Sequence, residues 1–342
     1  MLLPEIFKSP LIDSFYKVGN IARCLGLTAS YRGRAGILCY HRVLPDIENE
    51  NQDGPYAGLS VSITQFDQHM KFLAKNYNLV SMDELIERIS DPQDNSFPVA
   101  ITFDDGYKDN LYFALPVLER YGIPATIYIA TRFIDGNEDR WWVNLWAVVK
   151  EKSELILWID GQKYLFNLNS GKLKRRAYSI LHDKLLSMQA DKFDELMSQL
   201  VNKINCDNLP SVFMNWDELK ELDKHSLITI GAHTKSHSNL ASLPAESVLF
   251  EIQSGKKYLE ERLNHAIRHF AYPYGRLREA SEREYAVSRS CHFISSVTTR
   301  CQRIVSDTDK HKLPRHCITS RHSAFHIKTK LSGWNALWGL QG

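Results

Sequence analysis

Apolar and polar positions along this chain switch between two periods. Short apolar runs rich in β-branched residues predict strands at Gly36 to Tyr40, Pro98 to Phe103, Ala125 to Ala130, Leu227 to Gly231, His269 to Tyr272 and Phe293 to Val297. Between them lie stretches with one apolar face. Thr64 is placed to cap a helix that turns Phe66, Met70 and Leu73 inward, and Ser81-Met82-Asp83-Glu84 fits a capping box for the next. Asn110 to Tyr121 predicts a helix that Pro116 should kink. Ser242 and Pro244 open another, with Leu249, Ile252, Leu259 and Leu263 inward, and Glu282 to Ser290 is helical. Strands alternating with helices predict right-handed parallel units and a parallel α/β barrel, whose chemistry gathers at the C-terminal ends of the strands.

Residues 132–215 interrupt this rhythm. Trp141, Trp142 and Trp146 open the segment, and they read as packed core more readily than as sugar platforms. Asp160-Gly161 between two apolar runs is a two-residue hairpin signal, and two amphipathic helices follow near 173–187 and 190–204. The expected organisation is an N-terminal helical extension over 1–35, a barrel over 36–328 containing an inserted α+β segment at about 132–215, and a tail over 329–342. The extension mixes Leu11, Ile12, Phe15 and Val18 with Lys8, Lys17 and Arg23, which allows a packed helix or a peripheral membrane contact.

The central strand ends in Thr102-Phe103-Asp104-Asp105-Gly106. Neighbouring side chains at a strand end point in different directions, so one carboxylate can bind a cation while the other stays free as a base. The strand at Leu227 to Gly231 runs into His233-Thr234-Lys235-Ser236-His237. Spacing of four puts two imidazoles on one side of a helical turn. Two imidazoles and a carboxylate make a three-ligand metal site with one position open to water.

Thr-Phe-Asp-Asp-Gly followed by His-Thr-x-x-His resembles the polysaccharide deacetylase family, the NodB-homology carbohydrate esterases. Cys39-Tyr40-His41-Arg42-Val43 and Ala271-Tyr272-Pro273-Tyr274-Gly275 extend the resemblance over about residues 36–320. It implies a distorted barrel of about seven strands, a (β/α)7 barrel, one fewer than the usual eight and its helices. It implies Asp105, His233 and His237 as metal ligands, Asp104 as general base, and the backbone N–H of Tyr274 at the oxyanion. Tyr272, Pro273 and Tyr274 would line the sugar. Tyr40-His41 ahead of the Asp pair resembles a subset with circularly shuffled motifs, which makes His41 the candidate general acid; His316 and His322 are its rivals. Many relatives carry an arginine where this chain has Ala271, and Arg315 is the candidate to orient the base from the last strand. Zn²⁺ suits the imidazoles, with Co²⁺, Ni²⁺ or Fe²⁺ using similar ligands. Asp109 and Asp217 read as helix-end residues, and Lys235 as solvated.

Composition narrows the reading. At 342 residues and 44% hydrophobic, the chain is long enough to bury a barrel core, and a net charge of +2 argues against a nucleic-acid binder. Six scattered cysteines without a Cys-x-x-Cys pair suggest free thiols in a reducing compartment. With no secretory leader or spanning segment in the pattern, a cytoplasmic step is expected, at the inner membrane surface if the extension docks there. The expected reaction is metal-dependent removal of N-acetyl groups from an amino sugar in a polysaccharide, an oligosaccharide or a lipid-linked glycan precursor. O-acetyl ester or other amide hydrolysis on the same site, and a catalytically silent carbohydrate-binding barrel, are the alternatives. Oligomeric state is not legible.

Overall fold

The structure is a computed structural model that describes residues 33–46, 58–136, 141–188, 190–201 and 211–333. The expected N-terminal helix and its membrane contact lie outside these residues. Among the described residues, no helix is long and apolar enough to cross a membrane.

Four short strands come first: β1 (Gly36–Tyr40), β2 (Arg42–Leu44), β3 (Ser60–Ser62) and β4 (Asn78–Leu79). The central strand β5 (Pro98–Phe103) and β6 (Ala125–Ile129) follow, then a hairpin of β7 (Glu154–Ile159) and β8 (Gln162–Asn167). The last strands are β9 (Ile228–Ala232), β10 (His269–Ala271), β11 (Ser295–Val297) and β12 (His316–Cys317). The main sheet runs β11-β10-β9-β6-β5-β1-β12, with every pairing parallel, and β4 lies beside the start of β5. The segment leading into β12 bridges to β11 at Val297 and Leu313, which brings the two edges together. Seven strands thus curl into the distorted barrel that the alternation and the resemblance predicted.

Strand parity decides which side chains face inward. Leu38, Tyr40, Ile101, Phe103, Ile127, Ile230 and Phe270 belong to the core shared with the surrounding helices. Ile37, Ala100, Tyr128, Ala271, Val297 and Leu313 form the separate inner cluster. Tyr128 is the one aromatic among these inner positions, and Gly231 makes room for it: a Cβ there would lie 2.4 Å from the Tyr128 ring.

Several local expectations need correction. Ser62, not Thr64, caps the helix Ile63–Asn76, its side chain accepting from Gln65 N, while Thr64 donates to Asp46. Ser81 caps Met82–Ser90, but Glu84 turns to Arg88. The kink at Pro116 takes the form of a π turn over Asn110–Ala114 that leads into Leu115–Tyr121, with the proline in the first turn, where its missing N–H is not needed. In the helix Ala245–Leu263, Val248, Ile252 and Leu259 face inward and Leu249 is exposed. The boundary expected at 328 falls inside the helix Ala324–Leu331, whose Leu331 fills the space against Gly36.

Within 132–215, the helices Trp141–Glu151, Gly171–Leu186 and Ala190–Val201 pack with the hairpin around Leu145, Leu157 and Leu181. The hairpin turns at Asp160 and Gly161, both left-handed, in the register expected. Trp141 and Trp146 are core, whereas Trp142 is half-buried beside Phe133.

Candidate metal centre and active site

β5 and β9 are separated only by β6, so the loops that follow them open side by side. Asp105 adopts a left-handed φ of 77°, which throws its carboxylate away from that of Asp104. Its Oδ1 lies 3.4 Å from His233 Nε2 and 3.2 Å from His237 Nε2. The three ligand atoms fall within 4.8 Å of one another.

The histidines do not converge through a helical turn. Residues 233–237 form a bend in which Thr234 and His237 are both left-handed (φ 69° and 57°), and His237 N donates to Thr234 Oγ1. Glu251 holds the bend: its carbonyl accepts from Lys235 N, and its carboxylate from Ser236 N and Oγ. Gly255 on the same helix lets the bend approach, since a Cβ would sit 2.6 Å from the Thr234 carbonyl carbon.

The donor set fits a divalent cation. His233 Nδ1–H donates to Ala271 O at 2.7 Å, which leaves Nε2 as the lone-pair nitrogen facing the carboxylate. Asp105 Oδ1 is buried without a hydrogen-bond partner. A carboxylate oxygen faced by two ring nitrogens, of which His233 Nε2 carries a lone pair, needs a positive charge between them, a metal or a proton. The pKa shifts carry the same demand. Burial pushes Asp105 up, but His237 and His233 outweigh it and hold the carboxyl well below the ordinary range. Burial pushes His233 down, but Asp105 and Asp104 raise it overall.

Asp104 has the opposite surroundings. Arg315, fully buried, reaches into the barrel interior from the residue just before β12. Its Nη1 donates to Asp104 Oδ1 at 2.7 Å and to Thr102 Oγ1 at 3.1 Å; its Nη2 donates to Asp104 Oδ2 at 2.6 Å, and its Nε to Thr298 O at 3.1 Å. Tyr128 packs under the guanidinium, whose carbon lies 5.5 Å from the ring centre. Against the upward push of burial, Arg315 keeps the Asp104 carboxyl below its usual value.

His41, just past β1, brings a ring nitrogen within 4.8 Å of both an Asp104 oxygen and the Cys39 sulfur. Burial lowers its pKa despite the pull of Asp105 and Asp104. The rivals lie elsewhere. His316 and His322 are pushed down to about 3 by burial, with Lys330 the nearby charge, and His322 Nδ1 accepts from Thr319 N. Tyr274 turns inward at φ 61°, its ring 4.8 Å from that of His237. Tyr272 does not reach the site: it faces outward, fully buried between Phe270 and Tyr285, and donates to His311 O.

The model of the polysaccharide deacetylase family matches residues 91–157 and 174–289, more than half of the chain. The chain belongs to the polysaccharide deacetylase family. A Bacillus subtilis (strain 168) protein described as polysaccharide deacetylase YxkH is 38% identical to this family member over 78 residues, 22% of this chain and 28% of that relative. The chain therefore matches little more than a quarter of that curated relative's length. Among solved structures, the Streptococcus pyogenes deacetylase PplD in complex with acetate has a TM-score of 0.58 at 17% identity, covering 87% of this chain and 97% of its own. The de-N-acetylase from Aggregatibacter actinomycetemcomitans gives 0.53 at 17% identity, covering 86% and 99%. At such identities the likeness is one of fold.

Sequence reasoning missed the clamp that seats His41 in this deacetylase-family barrel. Asp109 precedes a helical turn but makes no cap hydrogen bond. Its carboxylate instead accepts from Arg42 Nε at 2.8 Å and Val43 N at 2.9 Å, and Asn110 Nδ2 donates to His41 O at 2.8 Å. Their place in the run after Asp104-Asp105-Gly106 is the one signal that pointed to them.

Proposed function

We propose that this chain is a metal-dependent hydrolase that removes N-acetyl groups from an amino sugar carried in a polysaccharide, an oligosaccharide or a lipid-linked glycan precursor. The observation that carries this reading is the unpartnered Asp105 Oδ1 between two imidazole nitrogens, one residue from a carboxylate held by Arg315. Family membership supports it.

Asp105, His233 and His237 would hold the ion, with zinc the first choice for imidazole ligands. When bound, the cation supplies a water whose pKa is lowered to about 7 and a Lewis-acid pull on the amide carbonyl. Asp104 receives the proton of the attacking water. Of about four acceptor sites on a carboxylate, Arg315 uses two and the Cys39 thiol one, so a site on Oδ1 stays open to water. The arginine makes Asp104 a weak base, matched to a water that is already acidic. His41 gives the departing amine its proton, and Asp109 and Asn110 hold its backbone in place. The Tyr274 N–H donates to the developing oxyanion. Pro273 and the Tyr274 ring line the sugar face, and Tyr272 is left out of that role. The segment at 132–215 acts as an inserted cover, presenting Trp142 toward His237, with ring centres 6.4 Å apart.

The test is acetate release by zinc-loaded protein from free, polymeric and lipid-linked N-acetylhexosamines, with metal content measured alongside. Release from one of these forms that is lost in Asp104→Asn supports the proposal. Silence across all of them with metal bound overturns it, and release from O-acetylated glycans alone redirects it to ester hydrolysis.

A further inference from the structure

β1 and β12 are neighbours in the barrel wall, and their register sets Cys39 directly beside Cys317. Adjacent parallel strands lie about 4.8 Å apart, inside the span of Cα separations that disulfides bridge. Both residues are free thiols. Cys39 is fully buried, and its sulfur lies 3.5 Å from Asp104 Oδ2, the nearer of its two acceptors, the other being Tyr40 O at 3.8 Å. Cys317 is partly exposed. The adjoining Cys39 side chain draws the Cys317 sulfur below the ordinary thiol range, against its burial and with help from Arg315.

We propose that Cys39 and Cys317 are a thiol–disulfide modification site that controls the hydrogen bonding of Asp104. The co-reactant is a low-molecular-weight disulfide such as oxidised glutathione. The Cys317 thiolate attacks one of its sulfurs, that S–S bond breaks, and one glutathione leaves as a thiolate that takes up a proton. The Cys39 thiol then gives up its proton, and its sulfur attacks the mixed disulfide at Cys317 and expels the second glutathione. Two protein thiols are oxidised by two electrons, and one small disulfide is reduced to two thiols. The partly exposed thiol is the point of entry, and the buried one resolves. The product has no S–H at Cys39, so Asp104 Oδ2 loses a donor and the carboxylate is left to Arg315 alone. A donor on a carboxylate lowers its basicity, so losing this one changes severalfold the rate at which Asp104 takes up a proton.

The crosslink stands independently of the proposed activity; its effect on turnover rests on the role given to Asp104. The full-length, zinc-loaded protein is equilibrated with glutathione across a series of redox ratios. Each sample is split between non-reducing peptide mapping and acetate release. A linked 39–317 peptide should appear, turnover should change severalfold in proportion to the linked fraction, and dithiothreitol should restore it. Cys317→Ser, with Cys317→Ala as a second variant, should keep its starting turnover and stop responding. No linked peptide in fully oxidised glutathione overturns the site, and a linked peptide with unchanged turnover overturns its control of Asp104. If acetate release is absent throughout, the proposed activity fails while the peptide map alone decides the crosslink.

Discussion

Two carboxylates adjacent in the chain sit in opposite surroundings. Asp104 is met by a buried guanidinium on both oxygens, whereas Asp105 has an oxygen with no donor at all. One residue of backbone, turned left-handed at Asp105, separates them. Asp104 is a finished ion pair and Asp105 an unfinished one. The first is complete in the protein alone, while the second is completed by something added. A pair of aspartates at a strand end becomes a division of labour because the neighbours, not the carboxylates, differ.

The largest effect should come from completing or denying the unfinished half. Asp105→Asn removes the anionic ligand, so zinc retention on dialysis should fall and turnover drop by about 10³-fold or more, since Lewis-acid assistance is worth several kcal/mol. The finished half should answer differently. Asp104→Asn should keep its zinc and lose about 10²- to 10⁴-fold in turnover. It should also lose about 3–5 kcal/mol of stability, because Arg315 is then buried and uncompensated. Zinc content and urea midpoints of the two variants give the comparison. A zinc-free Asp104→Asn would abolish the distinction.

Arg315 sharpens the contrast from the other side. Burial alone raises a carboxyl pKa, and the guanidinium is what pulls Asp104 down. Arg315→Met should therefore move the acidic limb of the pH–rate profile to higher pH while zinc content holds. In the wild type the folded pKa of Asp104 lies below its unfolded value, so the pair's stability is present above about pH 4 and lost below it. The double variant Asp104→Asn, Arg315→Met should recover stability relative to either single change, as a buried pair replaced by neutral groups often does. An unmoved acidic limb would remove Arg315 from the chemistry.

Much of this contrast was legible before the fold was. Apolar runs ending in Asp104-Asp105-Gly106 and His233 carry their own strand ends, and a barrel brings such ends together. Arg315 was legible as the one late arginine able to replace the charge missing at Ala271. Tyr272 was misread because its orientation depends on strand parity, which a one-residue uncertainty inverts. The convergence of His233 and His237 was expected for the wrong reason: their bend is made by Thr234, Glu251 and Gly255, through contacts distant in sequence. Asp109 was set aside because an aspartate ahead of a helical turn usually caps it, and only the folded chain presents Arg42 and Val43 as stronger partners.

His41 lies within the field of both carboxylates. His41→Ala should cost about 10²-fold in turnover with zinc retained, and flatten the basic limb of the profile. His322→Ala should leave that limb intact, since burial holds His322 neutral down to about 3. The reverse pattern would reassign the acid.

The smallest effect on turnover belongs to Asp109, which touches only the backbone and side chain that hold His41 in register. Asp109→Asn keeps the shape and loses the charge, so kcat should fall only several-fold with zinc unchanged, by analogy with other supporting residues of metal sites. Its pH signature is more telling. Burial raises the Asp109 carboxyl to about 6, although Arg42 pulls against it. A folded pKa above the unfolded one means that the folded state takes up the proton first, so the stability it contributes is present below about pH 4 and lost as pH rises through about 6. Between those limits the wild type should lose up to about 3 kcal/mol relative to Asp109→Asn. Urea midpoints of the two proteins from pH 4 to 7 measure this. If the curves run parallel, Arg42 neutralises Asp109 fully, and the clamp on His41 is an ion pair as complete as that of Asp104.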